Sequence, residues 1–216
     1  MSAQSIQRKL DAAHKKISSK LGYKYTLYRP IRNTDVLDDS NIVDDVLLAV
    51  TLSDTYTKAL AWELPVYTAY TNAAIVQEGD FLWSEDEGRT FLILSRQPHQ
   101  PVLVLEMPDR IDIQTIGYGD SGDGFAPDAV TYTARNLPAC ISYGASGFAG
   151  LSPARGAGTA GIRNATIYTS LPKSSMLMGQ TVNNQEDGFR GDIVNYDYAQ
   201  VGNAVKFTVQ EFDVAK

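Results

Sequence analysis

Between residues 79 and 116 the chain repeats one unit: a short run of apolar, β-branched and aromatic residues, closed by a polar turn, about every ten residues. Gly79 and Asp80 make a turn before Phe81, Leu82 and Trp83, and residues 84–88 make the next. Residues 90–95 are apolar, residues 96–101 carry Gln97, Pro98, Gln100 and Pro101, and the apolar runs 102–106 and 110–116 follow. Such runs are too short for helices, which need about ten or more residues of 3.6 period. The cadence therefore predicts a small barrel or sandwich of antiparallel strands.

The same signals return further on. Strand-forming residues occupy 130–133, 140–143, 162–171, 188–196 and 205–214. In the last of these, Val205, Phe207 and Val209 alternate with Lys206, Thr208 and Gln210, the period-2 pattern of a strand with one face buried. Gly79-Asp80 and Gly191-Asp192 are each read as a turn leading into a strand, which suggests two β modules of related design. Residues 117–128, rich in Gly and Asp, read as a linker between them. Residues 144–161 are dominated by Gly, Ala and Ser, a composition that buries too little to order itself without a partner. Residues 23–30 read as a strand ended by Pro30, 46–64 as strands or an extended arm, and 66–76 as a strand or a short helix.

The first 22 residues differ. Ile6, Leu10, Ala13, Ile17 and Leu21 recur at spacings of three and four, one apolar stripe of a helix, with Ser2 or Ser5 as cap and Gly22 as stop. Arg8, Lys9, Lys15, Lys16 and Lys20 stand against Asp11 alone, so this segment carries +4 of a net −6 and the remaining 194 residues carry −10. A helix of this length is marginal in isolation and needs a surface to pack on. The expected fold is thus mainly β: a basic amphipathic helix at 1–22, a β-barrel or sandwich module at 23–116, the linker at 117–128, and a second module at 129–216 containing the Gly-rich loop.

The acidic body argues against non-specific nucleic-acid binding, which needs Lys and Arg at phosphates. No run of about 18 apolar residues exists to span a membrane, and the first residues lack the apolar core of a secretory signal. The single Cys140 has no intrachain partner and reads as a small buried hydrophobe, in a chain that is kept in a reducing compartment or does not depend on disulfides. Asp35, Asp38, Asp39, Asp44 and Asp45 crowd residues 33–48. A calcium loop starting at Asp35 would want Gly and Glu where Ser40 and Val46 stand, so the segment reads as a solvated acidic loop.

Catalytic and cofactor motifs are weak. His14 and His99 lack a second His or Cys at metal-ligand spacing. No nucleophile elbow or phosphate-binding P-loop is present. Gly156, Gly158 and Gly161 match the dinucleotide-binding spacing, but a strand does not lead in and strand formers follow, so no cofactor is expected. Acidic pairs such as Asp44 with Asp45 and Glu85 with Glu87 lie in expected turns rather than across a cleft. No enzymatic activity is expected.

Several of these segments together resemble structural proteins of tailed bacteriophages. They are Leu27-Tyr28-Arg29-Pro30, the Gly79-Asp80 turn, the 90–98 strand with its Gln-Pro turn, the 101–106 strand, Leu137-Pro138, the Gly-rich segment, Leu171-Pro172 and the final hairpin. The layout is similar to neck proteins at the head–tail junction, including β-barrel stoppers. The resemblance implies a virion protein assembled in the bacterial cytoplasm, in rings of six or twelve copies. It also implies portal or adaptor and tail proteins as neighbours, and DNA that passes without staying bound. A tail terminator or baseplate component is the alternative within that class. A carbohydrate-binding β protein, using some of the 12 Tyr and 2 Trp, is the alternative outside it. The candidate assembly contacts are Arg8, Lys9, Lys15, Lys16, Lys20, Asp38, Asp39, Asp44, Asp45, Gly150, Arg155 and Gly158.

Overall fold

The computed structural model describes residues 2–30, 35–52, 66–98, 100–118, 127–143, 164–171, 177–184, 186–198 and 204–211. Helix α1, Ala3–Leu21, begins where the Ser2 side chain accepts the Ser5 N–H and ends at Gly22, whose N–H closes on the Ser18 carbonyl. Six strands follow: β1 (Tyr23–Tyr28), β2 (Ile42–Leu52), β3 (Val66–Tyr70), β4 (Phe81–Ser84), β5 (Arg89–Ser95) and β6 (Val102–Glu106). They close into an antiparallel barrel in the order β1-β2-β3-β6-β5-β4, with β4 pairing back onto β1. A second barrel is built from β7 (Asp109–Tyr118), β8 (Pro127–Tyr143), β9 (Asn164–Ser170), β10 (Thr181–Asn184), β11 (Arg190–Tyr198) and β12 (Ala204–Glu211). Its order, β7-β8-β9-β12-β11-β10, repeats the connectivity of the first, strand for strand.

The repeat extends to hydrogen bonds. Gly79, at φ 90°, donates to the Ile93 carbonyl, and Ile93 donates back to Asp80, both at 2.9 Å. Gly179, at φ 74°, donates to the Ile193 carbonyl at 3.2 Å, and Ile193 donates back to Gln180 at 2.9 Å. The hairpin tips carry Gly88 and Gly188, again left-handed. The partner of Gly79-Asp80 is thus Gly179-Gln180, and Gly191-Asp192 corrects the sequence reading because it lies inside β11. Gly191 is needed for a different reason: a Cβ there would sit 2.2 Å from the Gln210 carbonyl oxygen of β12.

Two further expectations are corrected. The linker at 117–128 does not separate the barrels, because β7 and β8 run into this stretch and pair with each other. The change of barrel occurs at Met107 and Pro108, between β6 and β7. The 33–48 segment is not a solvated loop over its described part. Asp35 bridges to Arg135 of β8, Val36 is buried, and Asp38 caps a 3-10 turn at Asp39–Asn41 before β2 begins. The Asn41 side chain, itself buried, donates to the carbonyls of Asp35 and Val36 at 2.9 and 3.3 Å and closes the strap on itself, while the Val36 N–H donates to the Arg135 carbonyl of β8 and the Arg29 N–H donates to the Asn41 carbonyl. The run at 205–214 offers no free edge over its described part, since β12 pairs with β11 and β9.

The cores explain the closure. Tyr25, Leu27, Val46, Leu48, Leu82, Phe91, Ile93 and Val104 fill the first barrel. Their neighbours in sequence, Phe81, Leu92, Leu94, Leu103 and Leu105, point the other way and are buried too. They belong to a second cluster, continuous with Ile113, Ile167, Val182, Ile193 and Phe207 of the second barrel. Burial of each such side chain contributes about 1.5–3 kcal/mol, so strands apolar on both faces tie the barrels into one body.

Candidate assembly surface

Helix α1 touches β2 and β3 of the first barrel. The contact is incomplete. Among the described side chains of the helix only Ser18 is fully buried. Of the apolar stripe, Leu10 and Ile17 are half-buried, Ala13 is exposed, Ile6 is 41% exposed and Leu21 is 72% exposed. Between helix and barrel, His14 meets Tyr70 of β3 edge-on at 5.4 Å. Within the helix, Gln7 donates to Asp11 at 2.7 Å and Ser18 donates to the Lys15 carbonyl. A cavity of about 300 Å³ between helix and barrel is lined by Gln7, Asp11, Ala73, Arg96, Gln97 and Val102. Arg8, Lys9, Lys15, Lys16 and Lys20 are all exposed, and none is in an ion pair among the described residues.

Strand β2 presents the opposite charge. Asp39, in the 3-10 turn just before it, and Asp44 and Asp45 of the strand are exposed near Ile42, Val43 and Leu47, each a little over two-fifths exposed. Asp45 pairs with Lys24 of β1 at 2.7 Å. This hydrogen-bonded pairing holds the Asp45 carboxyl below, and the Lys24 ammonium above, their ordinary values. Asp44 accepts the Asp45 N–H, and Asp38 is occupied by the Ser40 N–H and hydroxyl. The expected contact residues therefore divide. The five cations and Asp39, Asp44 and Asp45 face outward, whereas Asp38 serves the strap, and Gly150, Arg155 and Gly158 lie outside the described residues. The dinucleotide-like glycines, His99 and Trp62 lie outside them as well.

Several other polar groups are committed within the fold. Arg29 forms a two-pronged pair with buried Asp80 at 2.8 and 2.7 Å, and Asp80 also accepts the Gln77 N–H at 2.8 Å. Arg89 clamps Glu106 at 2.7 and 3.0 Å, which holds that carboxyl below its usual range, while Tyr67 donates to the same carboxylate. Tyr25 donates to Glu87, and Tyr143 to Asp187. Burial pushes the half-buried Cys140 thiol up to about 11, so it is not a thiolate at neutral pH. Trp83, half-buried, meets Tyr28 edge-on at 6.4 Å and packs against the core.

Where the strap meets the second barrel, a cavity of about 170 Å³ that residue patterns did not reveal is lined by Asp35, Arg110, Ile111, Asp112, Arg135 and Asn136. It arises from a bulge in β8, where Asn136 adopts φ 48° and donates its N–H to buried Asp112 at 2.8 Å. The sequence sign of it is an Asn, a residue that tolerates the left-handed region, in the middle of a strand run. Burial lowers the Arg110 guanidinium from its ordinary value, and Arg110 donates to Thr90 of β5. Among the described residues no three His, Cys, Asp or Glu side chains gather to hold a metal ion, and no helix is long and apolar enough to cross a membrane. No family model, curated protein or solved structure matches this chain.

Proposed function

We propose that this chain is a structural protein of a tailed phage that forms a ring at the head–tail junction, joins portal or adaptor to tail, and leaves a passage for DNA. The observation that carries the reading is the segregation of its outer surface. A basic helix whose apolar stripe is only half covered sits on a barrel whose β2 is acidic and carries exposed Ile42, Val43 and Leu47. Surfaces of that kind suit contacts between proteins. The helix-then-two-barrel layout agrees with the neck-protein resemblance, and an acidic body of −10 disfavours holding DNA against a channel wall.

The test is the mass of the full chain in solution together with its detection in purified phage particles. A ring-sized species and a stoichiometric band in particles are expected. A chain absent from particles would overturn the reading, and a chain that binds immobilised glycans as a monomer would replace it with the carbohydrate-binding alternative.

A further inference from the structure

We infer that α1 of one copy docks on the acidic outer region of β2 of a second copy, head to tail. The inference rests on the ring reading and names the contact that builds the ring. Both halves of the contact are present on one chain and neither is satisfied within it. Ile6, Ala13 and Leu21 remain exposed although the helix is already in place on its own barrel. Ile42, Val43 and Leu47 remain exposed although α1 touches β2.

The charges choose the partner. Five exposed cations lie on α1 with Asp11 as its only acid, and exposed Asp39, Asp44 and Asp45 are interspersed along the chain with exposed Ile42, Val43 and Leu47. Apolar side chains interspersed with charge of one sign, set against a helix of the other sign, favour a specific contact. Each copy offers one helix and receives one, so the contact is heterologous and closes into a ring when the rotation per copy divides a full turn. Two copies related by a two-fold axis can make only the paired form of it. Asp38 is already taken by Ser40 and Asp45 by Lys24 of the same copy, which leaves exposed Asp39 and Asp44 as the acids to exchange.

The experiment is a charge exchange read by sedimentation velocity and mass photometry on full-length chains. One variant carries Lys9→Glu with Lys16→Glu, the other Asp39→Lys with Asp44→Lys. All four positions are exposed, so circular dichroism is expected to be unchanged. Each variant alone is expected to weaken association at least about tenfold relative to the parent chain, with the parent's association falling as salt screens the contact. An equimolar mixture is expected to recover it, because the acidic helix of one variant meets the basic strand of the other and the two unaltered surfaces also match.

Parent oligomers that neither variant weakens, or variants whose mixture does not recover, would overturn this contact. A parent chain that stays monomeric overturns it too, and if that monomer co-sediments with phosphatidylserine vesicles the helix belongs to a lipid surface. The ring reading fails separately. Oligomers that obey the charge exchange but are missing from purified particles keep the contact and lose the neck.

Discussion

At the scale of single residues, the polar groups that matter for stability are those locked in place with no water to replace a lost partner. Asp80 is 2% exposed and answers both a guanidinium and a backbone N–H. Asp80→Ala leaves Arg29 without its counter-charge, and breaking such a pair costs about 3–5 kcal/mol. Urea unfolding should show it, and a loss under about 1 kcal/mol would mean Arg29 finds water. Asp109 behaves in the opposite sense. Burial raises its pKa; the Ile141 N–H offsets part of that rise, and Glu186 and Asp187 nearby add smaller increments to it. Above the raised value the folded state carries a charge it disfavours. As pH falls through that value the carboxyl takes a proton and the penalty fades, and it is gone below the unfolded value of about 4. Asp109→Asn keeps an acceptor for Ile141, so its melting temperature should exceed the parent's at pH 7 and match it near pH 3. A constant difference across that range would remove the titration argument. Gly191 makes the third case. Its constraint is not a turn but the 2.2 Å approach of a Cβ to the Gln210 carbonyl oxygen. Gly191→Ala should therefore cost about 1–3 kcal/mol by pushing β11 off β12, and equal stability of the two chains would show that the strands move apart freely.

At the scale of elements, the sequence was most legible where period and punctuation agree. The α1 stripe with Ser2 and Gly22 at its ends, and the strands β4, β5 and β6 between their turns, lie within a residue or two of where patterning puts them. Two things were harder to read. A bulge does not break hydrophobic patterning in a way that announces one strand: residues 130–133 and 140–143 look separate, yet both belong to β8, bent at Asn136. A Gly-Asp pair looks the same before a strand as inside one, so the repeat was matched at Gly191 rather than at Gly179, where Gln180 replaces the Asp. The acidic 33–48 segment misled for a related reason. Five Asp side chains dominate its composition, but one Val and one Asn do the packing, and single buried residues leave no periodic trace. Patterning of α1 also says which face is apolar without saying what covers it. Since only Ser18 is fully buried among its described side chains, removing residues 1–21 should leave the β signal in circular dichroism intact and lower the melting temperature by only a few degrees, while association is lost. Collapse of the β signal on truncation would instead make the helix part of the first barrel's core.

At the scale of the whole molecule, the two barrels share one connectivity and one set of turn hydrogen bonds, which is the arrangement expected of a duplicated module. They do not share a fate as independent domains. The residue runs of β5 and β6 are continuously apolar, not alternating, and strands of that composition are buried on both faces. One face fills the first barrel; the other, through Phe81, Leu92, Leu94, Leu103 and Leu105, joins the cluster that contains the interior of the second. Arg110 reaching Thr90, and the strap bridging Asp35 to Arg135, cross the same boundary. Separating the barrels at Met107 would uncover those five large side chains at once, an apolar patch of the size that drives association. The full chain should therefore melt in a single calorimetric transition whose van't Hoff and calorimetric enthalpies agree. The fragment 1–107 should bind a hydrophobic dye and aggregate. Two resolved transitions in the full chain, with a monomeric fragment that binds no dye, would show that the shared cluster is incidental and that each barrel stands on its own interior.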